Sequence, residues 1–281
     1  MDASQWGPAL LTIERLCDIV DKACNFELGD EFVPLFLLRR LDVNEVLEAT
    51  LEPSTPVVEA RLKEMFQALQ WDDRISLYQY LAVISVARQI AGIVFGSLAR
   101  PILQQGVALK LVPMAKRSPP VEGEKRIQWE PASNRTDRSG RSLAASPISI
   151  YFPPSEVLEL DRLTPTEFEP NRLYVPKSTR NRAGFDAIIT SHGFLHIFQI
   201  TTMSLYEIES KSVYAIKDGI KNFFSEEVLR GLPPKTMWRY VFVVPPGKRI
   251  VGQCKSGVAE FLTGVSLFSA ELDVEKWTWV V

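Results

Sequence analysis

Charge of one sign is the first thing this sequence lacks. Its 32 basic and 34 acidic residues leave a net charge of −2 over 281 residues. No bulk electrostatic pull toward nucleic acid exists, so contact with phosphates would need a local patch. Cysteine is also scarce: Cys17, Cys24 and Cys254 form an odd set with no CxxC pair, which excludes a disulfide framework and points to reduced thiols inside a cell. His192 and His196 are the two histidines, with no cysteine or third histidine near them to complete a zinc site. There is no GxxxxGK[ST], hence no Walker cradle for a nucleotide phosphate. The start MDASQWGPALLTIERL carries an acid at once and then turns amphipathic, which is not a classical signal peptide and fits a protein of the nucleus or cytoplasm. The most apolar run, residues 75–103, is interrupted by Arg88, Gln89 and Arg100, so a buried helix is expected there and no membrane span.

What the chain does have is a 46% apolar composition, ample for a core in one large domain or two small ones. Apolar spacing predicts helices over residues 6–24 and 57–69, with residues 32–41 apolar and 43–49 continuing as helix. The leading region, residues 1–70, therefore reads as helical. Residues 72–104 read as one or two further helices, with Pro101 bending the last turn, and 107–114 alternate as a strand. Residues 116–146 are crowded with Lys, Arg, Ser, Pro and Gly and read as a flexible insertion, taken as 115–147. Residues 148–152 form a short strand and 153–170 an acidic, turn-rich connection. Residues 205–229 are expected to be a helix ending at Gly231-Leu232-Pro233-Pro234, followed by strands over 237–244 and 265–272.

The stretch from Leu173 to Glu207 holds most of the chemistry. Two β-branched and aromatic runs, 185–189 and 194–200, are separated by Thr190-Ser191-His192-Gly193, which predicts a hairpin of buried strands. Asp186 opens the first strand and Gln199 closes the second. Thr201, two residues on, shares the face of Gln199.

An acid opening one strand, followed across a hairpin by an acid or amide, any residue, then Lys, resembles the layout of the PD-(D/E)XK nuclease fold. In element order and in six motifs the chain also resembles the restriction-endonuclease-like domain of the Crinkler and RHS-type effector proteins of mushroom-forming fungi. The motifs are Ala91-Gly92-Ile93-Val94-Phe95, Leu109-Lys110-Leu111-Val112-Pro113-Met114, Tyr174-Val175-Pro176-Lys177-Ser178, Phe185-Asp186, Ile197-Phe198-Gln199-Ile200-Thr201, and Trp238-Arg239-Tyr240-Val241-Phe242-Val243-Val244-Pro245-Pro246. They span about residues 81–272. The resemblance implies an α/β fold with an αβββαβ core and a mixed sheet over residues 71–281, behind the helical leading region. It also implies a possible place in nuclei, DNA as a partner, and Mg²⁺ as cofactor if the domain is active.

Carried over residue by residue, the resemblance puts Asp186 and Gln199 at the metal. Gln199 stands where the second acid would be, Thr201 where the catalytic Lys would be, and Gly96 where the first helix commonly presents a Glu. A hydroxyl cannot supply positive charge to a pentacovalent phosphate, and a neutral carbonyl oxygen is a weaker ligand than a carboxylate. Lys211 or Lys217 on the following helix could substitute by migration, or be surface lysines. Glu167 and Glu169 could fold in. Asp186 could equally be a solvated strand-edge acid, and Gln199 a structural hydrogen-bonding group. Lys177, Arg180, Arg182, Lys248 and Arg249 either line a nucleic-acid groove or are scattered loop charges.

The expectation is a nuclease-fold protein, catalytically weakened, that binds nucleic acid or a protein partner. The alternative is an active metal-dependent DNase using Asp186, Gln199 and a migrated Lys211 or Lys217. A third reading makes the leading helices a surface for a protein partner.

Overall fold

Thr12 opens the first helix, α1 (Ile13–Cys24), because its hydroxyl accepts the Arg15 N–H at 3.2 Å and so satisfies a donor that a helix start leaves free. Leu16, Ile19, Val20 and Ala23 then share a buried face. Thr55 caps α2 (Pro56–Ala68) in the same way, with Pro56 pre-set for the first turn. Two further helices, α3 (Trp71–Ala82) and α4 (Arg88–Gln105), follow. The structure is a computed structural model that describes residues 12–25, 36–43, 46–116, 126–132, 146–160, 169, 171–176, 185–208, 232–255 and 262–277. By its contacts the chain forms two compact units, Met1–Val94 and Phe95–Val281, and the division falls inside α4.

In the first unit the expected helix over residues 43–49 is corrected to an antiparallel hairpin, β1 (Phe36–Val43) and β2 (Val46–Pro53), in register from Phe36 opposite Pro53 to Val43 opposite Val46. Leucine and glutamate favour helix by propensity, a weak preference that burial overrides. Here the pairing buries Phe36 and Leu51 completely.

The second unit is built on an 11-stranded mixed sheet. Its strands are β3 (Val107–Lys116), β4 (Arg126–Pro131), β5 (Ile148–Phe152), β6 (Val157–Leu160), β7 (Leu173–Pro176), β8 (Ala187–Ser191), β9 (Phe194–Ile200), β10 (Leu205–Ile208), β11 (Trp238–Val244), β12 (Val251–Lys255) and β13 (Ser266–Glu271). Their order is β10-β12-β4-β3-β13-β11-β9-β8-β7-β6, with β5 beside β3. The hairpin β8–β9 is present as its residues predict. His192 and Gly193, with φ of 55° and 77°, make the turn, the left-handed pair that suits the twist of a two-residue loop. β11 runs parallel to both β9 and β13, and β13 pairs antiparallel with β3.

The sheet corrects several other expectations. The strand beside the hairpin is β7, carrying Tyr174 opposite Ile188, whereas β3, with the Leu109–Met114 motif, pairs with β4, β5 and β13. The expected insertion contains a strand, β4, held between β3 and β12, because Ile127 and Trp129 pack on the core. Residues 205–208, expected to begin a helix, form β10 parallel to β12, since strand geometry lets Tyr206 reach Phe242 across the sheet at 5.5 Å. The rest of that expected helix, with Lys211 and Lys217, lies outside the described residues. So do Lys177, Arg180, Arg182 and Glu167.

That ring contact also shows how the sheet closes over itself. β10 and β12 fold back over β11, so that a Cβ on Gly252 would lie 3.5 Å from the Phe242 ring. Tyr174, Ile188, Ile197, Tyr240 and Leu267 form a row across this inner face. The opposite face carries His196, Phe198 and Phe152. Residues 85–105 are long and apolar enough to cross a membrane by composition, and 61% of that stretch is buried within the protein. At its end Gly106 adopts φ +92°, and a Cβ there would meet the Pro154 backbone at 2.7 Å, so the turn into β3 admits only glycine.

Candidate functional site

Asp186 lies one residue before β8, and the register that sets Ala187 opposite Phe198 carries on to set it opposite Gln199. The two side chains meet: Gln199 Nε2 donates to Asp186 Oδ2 at 2.8 Å, and the Ile200 N–H donates to the same oxygen at 2.8 Å. Asp186 Oδ1 takes Arg100 Nη2 from α4 at 3.0 Å. Both oxygens therefore face donors, one of them a guanidinium, and the two ion-pair side chains are only 22% and 21% exposed. The amide oxygen of Gln199 in turn faces the Tyr240 hydroxyl at 3.5 Å. Burial, then the neighbouring Tyr206 and Asp186, hold that phenol well above its ordinary pKa, so it stays a neutral donor.

This arrangement does not suit a divalent cation. A metal at Asp186 would have to displace the Arg100 guanidinium, and Gln199 turns its amide nitrogen, which cannot ligate, toward the carboxylate. Among the described residues no group of three His, Cys, Asp or Glu is placed to hold a metal. Glu169 is engaged by Arg172 at 2.8 Å. Thr201, which the resemblance sets at the position of a catalytic Lys, is buried, and its hydroxyl accepts the Met203 N–H at 3.1 Å. At Gly96, one helical turn before Arg100 and the position at which the resemblance expects an acid, an added Cβ meets nothing within 4 Å.

The cations predicted from the loop after β11 line a groove on the same sheet. Lys248 and Arg249 are exposed and line a groove of about 440 Å³ with Lys110, Val112, Pro131, Pro147, Val244, Ser269 and Glu271. The strand registers tie groove and pair together. Gln199, Phe242, Ser269 and Val112 stand in one lateral row. The same registers carried two residues on give Thr201, Val244, Glu271 and Lys110. At about 4.8 Å per strand, Ser269 is about 10 Å from Gln199 on the same face.

Composition alone did not single out Arg100, Tyr240, Lys110, Ser269 or Glu271. A signal existed for Arg100: a lone cation in the apolar helix 90–103 asks for a buried partner. No such signal marked the groove, which exists only because β3 and β13 pair over a long separation in sequence, Pro113 with Phe268 and Val112 with Ser269.

On the other face His196 is wholly buried, with the Phe152 ring edge-on at 4.9 Å and Phe198 stacked at 6.3 Å. Neither ring nitrogen has a well-placed hydrogen-bond partner among the described residues. Burial first, then the Arg239 charge, push its pKa down to about 3, with His192 adding slightly and the Ser191 backbone opposing. Arg239 itself lies over the Phe194 ring at 3.5 Å. This imidazole is a neutral core ring and carries no chemistry.

No protein-family model matches the chain, and comparisons with curated proteins and with solved structures find no match.

Proposed function

We propose that this chain is a nuclease-fold protein of the Crinkler/RHS type that has lost or strongly weakened hydrolysis and binds nucleic acid, DNA being the first candidate, inside the nucleus or cytoplasm. The observation that carries it is the Asp186 carboxylate, held by Arg100 and Gln199 in the position where the resemblance asks for a metal. A guanidinium supplies the positive charge that the acid needs, yet it cannot polarise a water or bridge two phosphate oxygens as Mg²⁺ does. The β7–β8–β9 meander with β11 added parallel to β9 supports the strand part of the αβββαβ reading. Lys110, Lys248 and Arg249 around one groove support a phosphate-binding role, since they concentrate positive charge in a chain with none to spare overall.

Two measurements test this. Plasmid incubated with Mg²⁺ or Mn²⁺ is expected to remain intact. Cleavage that Asp186→Ala abolishes would instead establish the active DNase with a migrated Lys211 or Lys217. For binding, the Lys248→Glu/Arg249→Glu variant is expected to weaken DNA affinity by about tenfold or more near 0.1 M salt and to reduce the slope of log affinity against log salt by about two. Unchanged affinity and slope would remove the groove from the interface.

A further inference from the structure

We propose that the groove beside Asp186 is a pocket for a phosphate monoester of mononucleotide size, the terminal phosphate of a nucleic-acid strand or a free nucleotide. It deepens the nucleic-acid reading above and rests on it for the polymer. Three cations, Lys110, Lys248 and Arg249, and one carboxylate, Glu271, line the groove, so the local charge is three positive less one negative, or +2. A phosphate monoester carries −1.5 to −2 near neutrality, whereas a phosphodiester within a chain carries only −1. The charge therefore matches an end better than a passing backbone.

Size and shape agree. The volume of about 440 Å³ is in the lower part of the range for small-ligand pockets, enough for one nucleotide. Pro131 from β4 and Pro147 before β5 lie on its walls. The floor is the buried Ser269 and Val244 at the carboxyl ends of the parallel strands β11 and β13, the edge at which open α/β sheets take their ligands. The Ser269 hydroxyl offers a neutral donor to a phosphate oxygen.

Glu271 decides what is attached to the phosphate. A carboxylate repels a second phosphate but accepts a hydrogen bond from a sugar hydroxyl or an exocyclic amine. Among the described residues none of Lys110, Lys248, Arg249 and Glu271 forms an ion pair, so all four heads stand available. Glu271 lines the same groove as Lys110, Lys248 and Arg249, which places the acceptor beside the cations.

Binding is measured for four probes: a single-stranded DNA oligonucleotide with a 5′-phosphate, the same oligonucleotide with a 5′-hydroxyl, a nucleoside 5′-monophosphate, and inorganic phosphate. The phosphorylated oligonucleotide is expected to bind about tenfold or more tightly than the hydroxyl form. Lys110→Gln/Arg249→Gln should erase that ratio with the thermal midpoint unchanged, because both side chains are exposed. A nucleotide that binds as tightly as the phosphorylated strand identifies the source as free nucleotide; one that binds far more weakly identifies a strand end. Glu271→Gln should raise affinity for inorganic phosphate and lower it for the nucleotide. Equal binding of both oligonucleotides, with sensitivity to Lys248→Glu/Arg249→Glu retained, overturns the pocket and leaves the nucleic-acid reading standing. Nucleotide binding with no binding of either oligonucleotide does the reverse. Inorganic phosphate binding as tightly as both the nucleotide and the phosphorylated oligonucleotide shows an adventitious anion site only and overturns the assignment.

Discussion

Replacing Arg100 with alanine is expected to lower the free energy of unfolding by about 2 kcal/mol, between the small worth of an exposed ion pair and the larger loss on breaking a buried one. The two side chains are about four-fifths covered, and without the guanidinium Asp186 keeps only the Gln199 amide and the Ile200 N–H as donors. Asp186→Asn should cost at least as much, because it leaves the Arg100 guanidinium without a counter-charge and turns an amide NH2 toward a group that is itself a donor. The double variant should cost less than the sum, with a coupling of about 1 to 2 kcal/mol read from denaturant midpoints. Arg100→Ala also frees one carboxylate oxygen, so millimolar Mn²⁺ should recover part of its lost midpoint and leave the parent protein unmoved. Adding Gly96→Glu, for which there is open space, should enlarge that recovery. Zero coupling and no response to Mn²⁺ would mean that the aspartate has a different counter-charge and that the metal position is not occupied as described.

Acid should destabilise the protein through one buried ring. His196 has a folded pKa of about 3 against about 6.5 in the unfolded chain. Between these values the unfolded state binds a proton that the folded state refuses. Stability is therefore whole above about pH 6.5 and falls as pH drops, by about 1.4 kcal/mol per unit within the window and about 4 kcal/mol across it. The cause is the dry cage of Phe152 and Phe198 with the Arg239 charge nearby. His196→Phe fills the same cage with a ring that does not titrate. Its denaturant midpoint should stay flat between pH 7 and pH 5, where the parent loses about 2 kcal/mol. A variant that declines as steeply as the parent would show that carboxylates elsewhere govern the acid limb.

The hairpin was legible because two signals coincide: β-branched and aromatic runs that stay apolar on both faces, and His192-Gly193 between them in the left-handed region. The meeting of Asp186 and Gln199 followed from that register alone. β1 and β2 were not legible, since their leucines, arginines and glutamates are ordinary helix residues and only the burial of Phe36 and Leu51 makes a strand pair of them. β4 was hidden for a different reason: six residues inside a polar stretch give too short a pattern, and its two neighbours, β3 and β12, come from opposite ends of the second unit. Arg100 shows the limit most plainly. A sequence records that a cation interrupts an apolar helix, but its partner is 86 residues away, and long-range pairing of that kind leaves no local trace.

The place of β13 has a bearing on synthesis. It is the last described strand, yet it lies between β3 and β11 and joins the β10-β12-β4-β3 half of the sheet to the β11-β9-β8-β7-β6 half. While residues 266–271 are still within the ribosome, β3 and β11 each lack the partner that β13 supplies, and an unpaired edge is the kind of template that captures stray strands. Until residues 266–271 emerge, the nascent second unit holds two unjoined half-sheets, and a chaperone that shields them would be most needed before that segment appears.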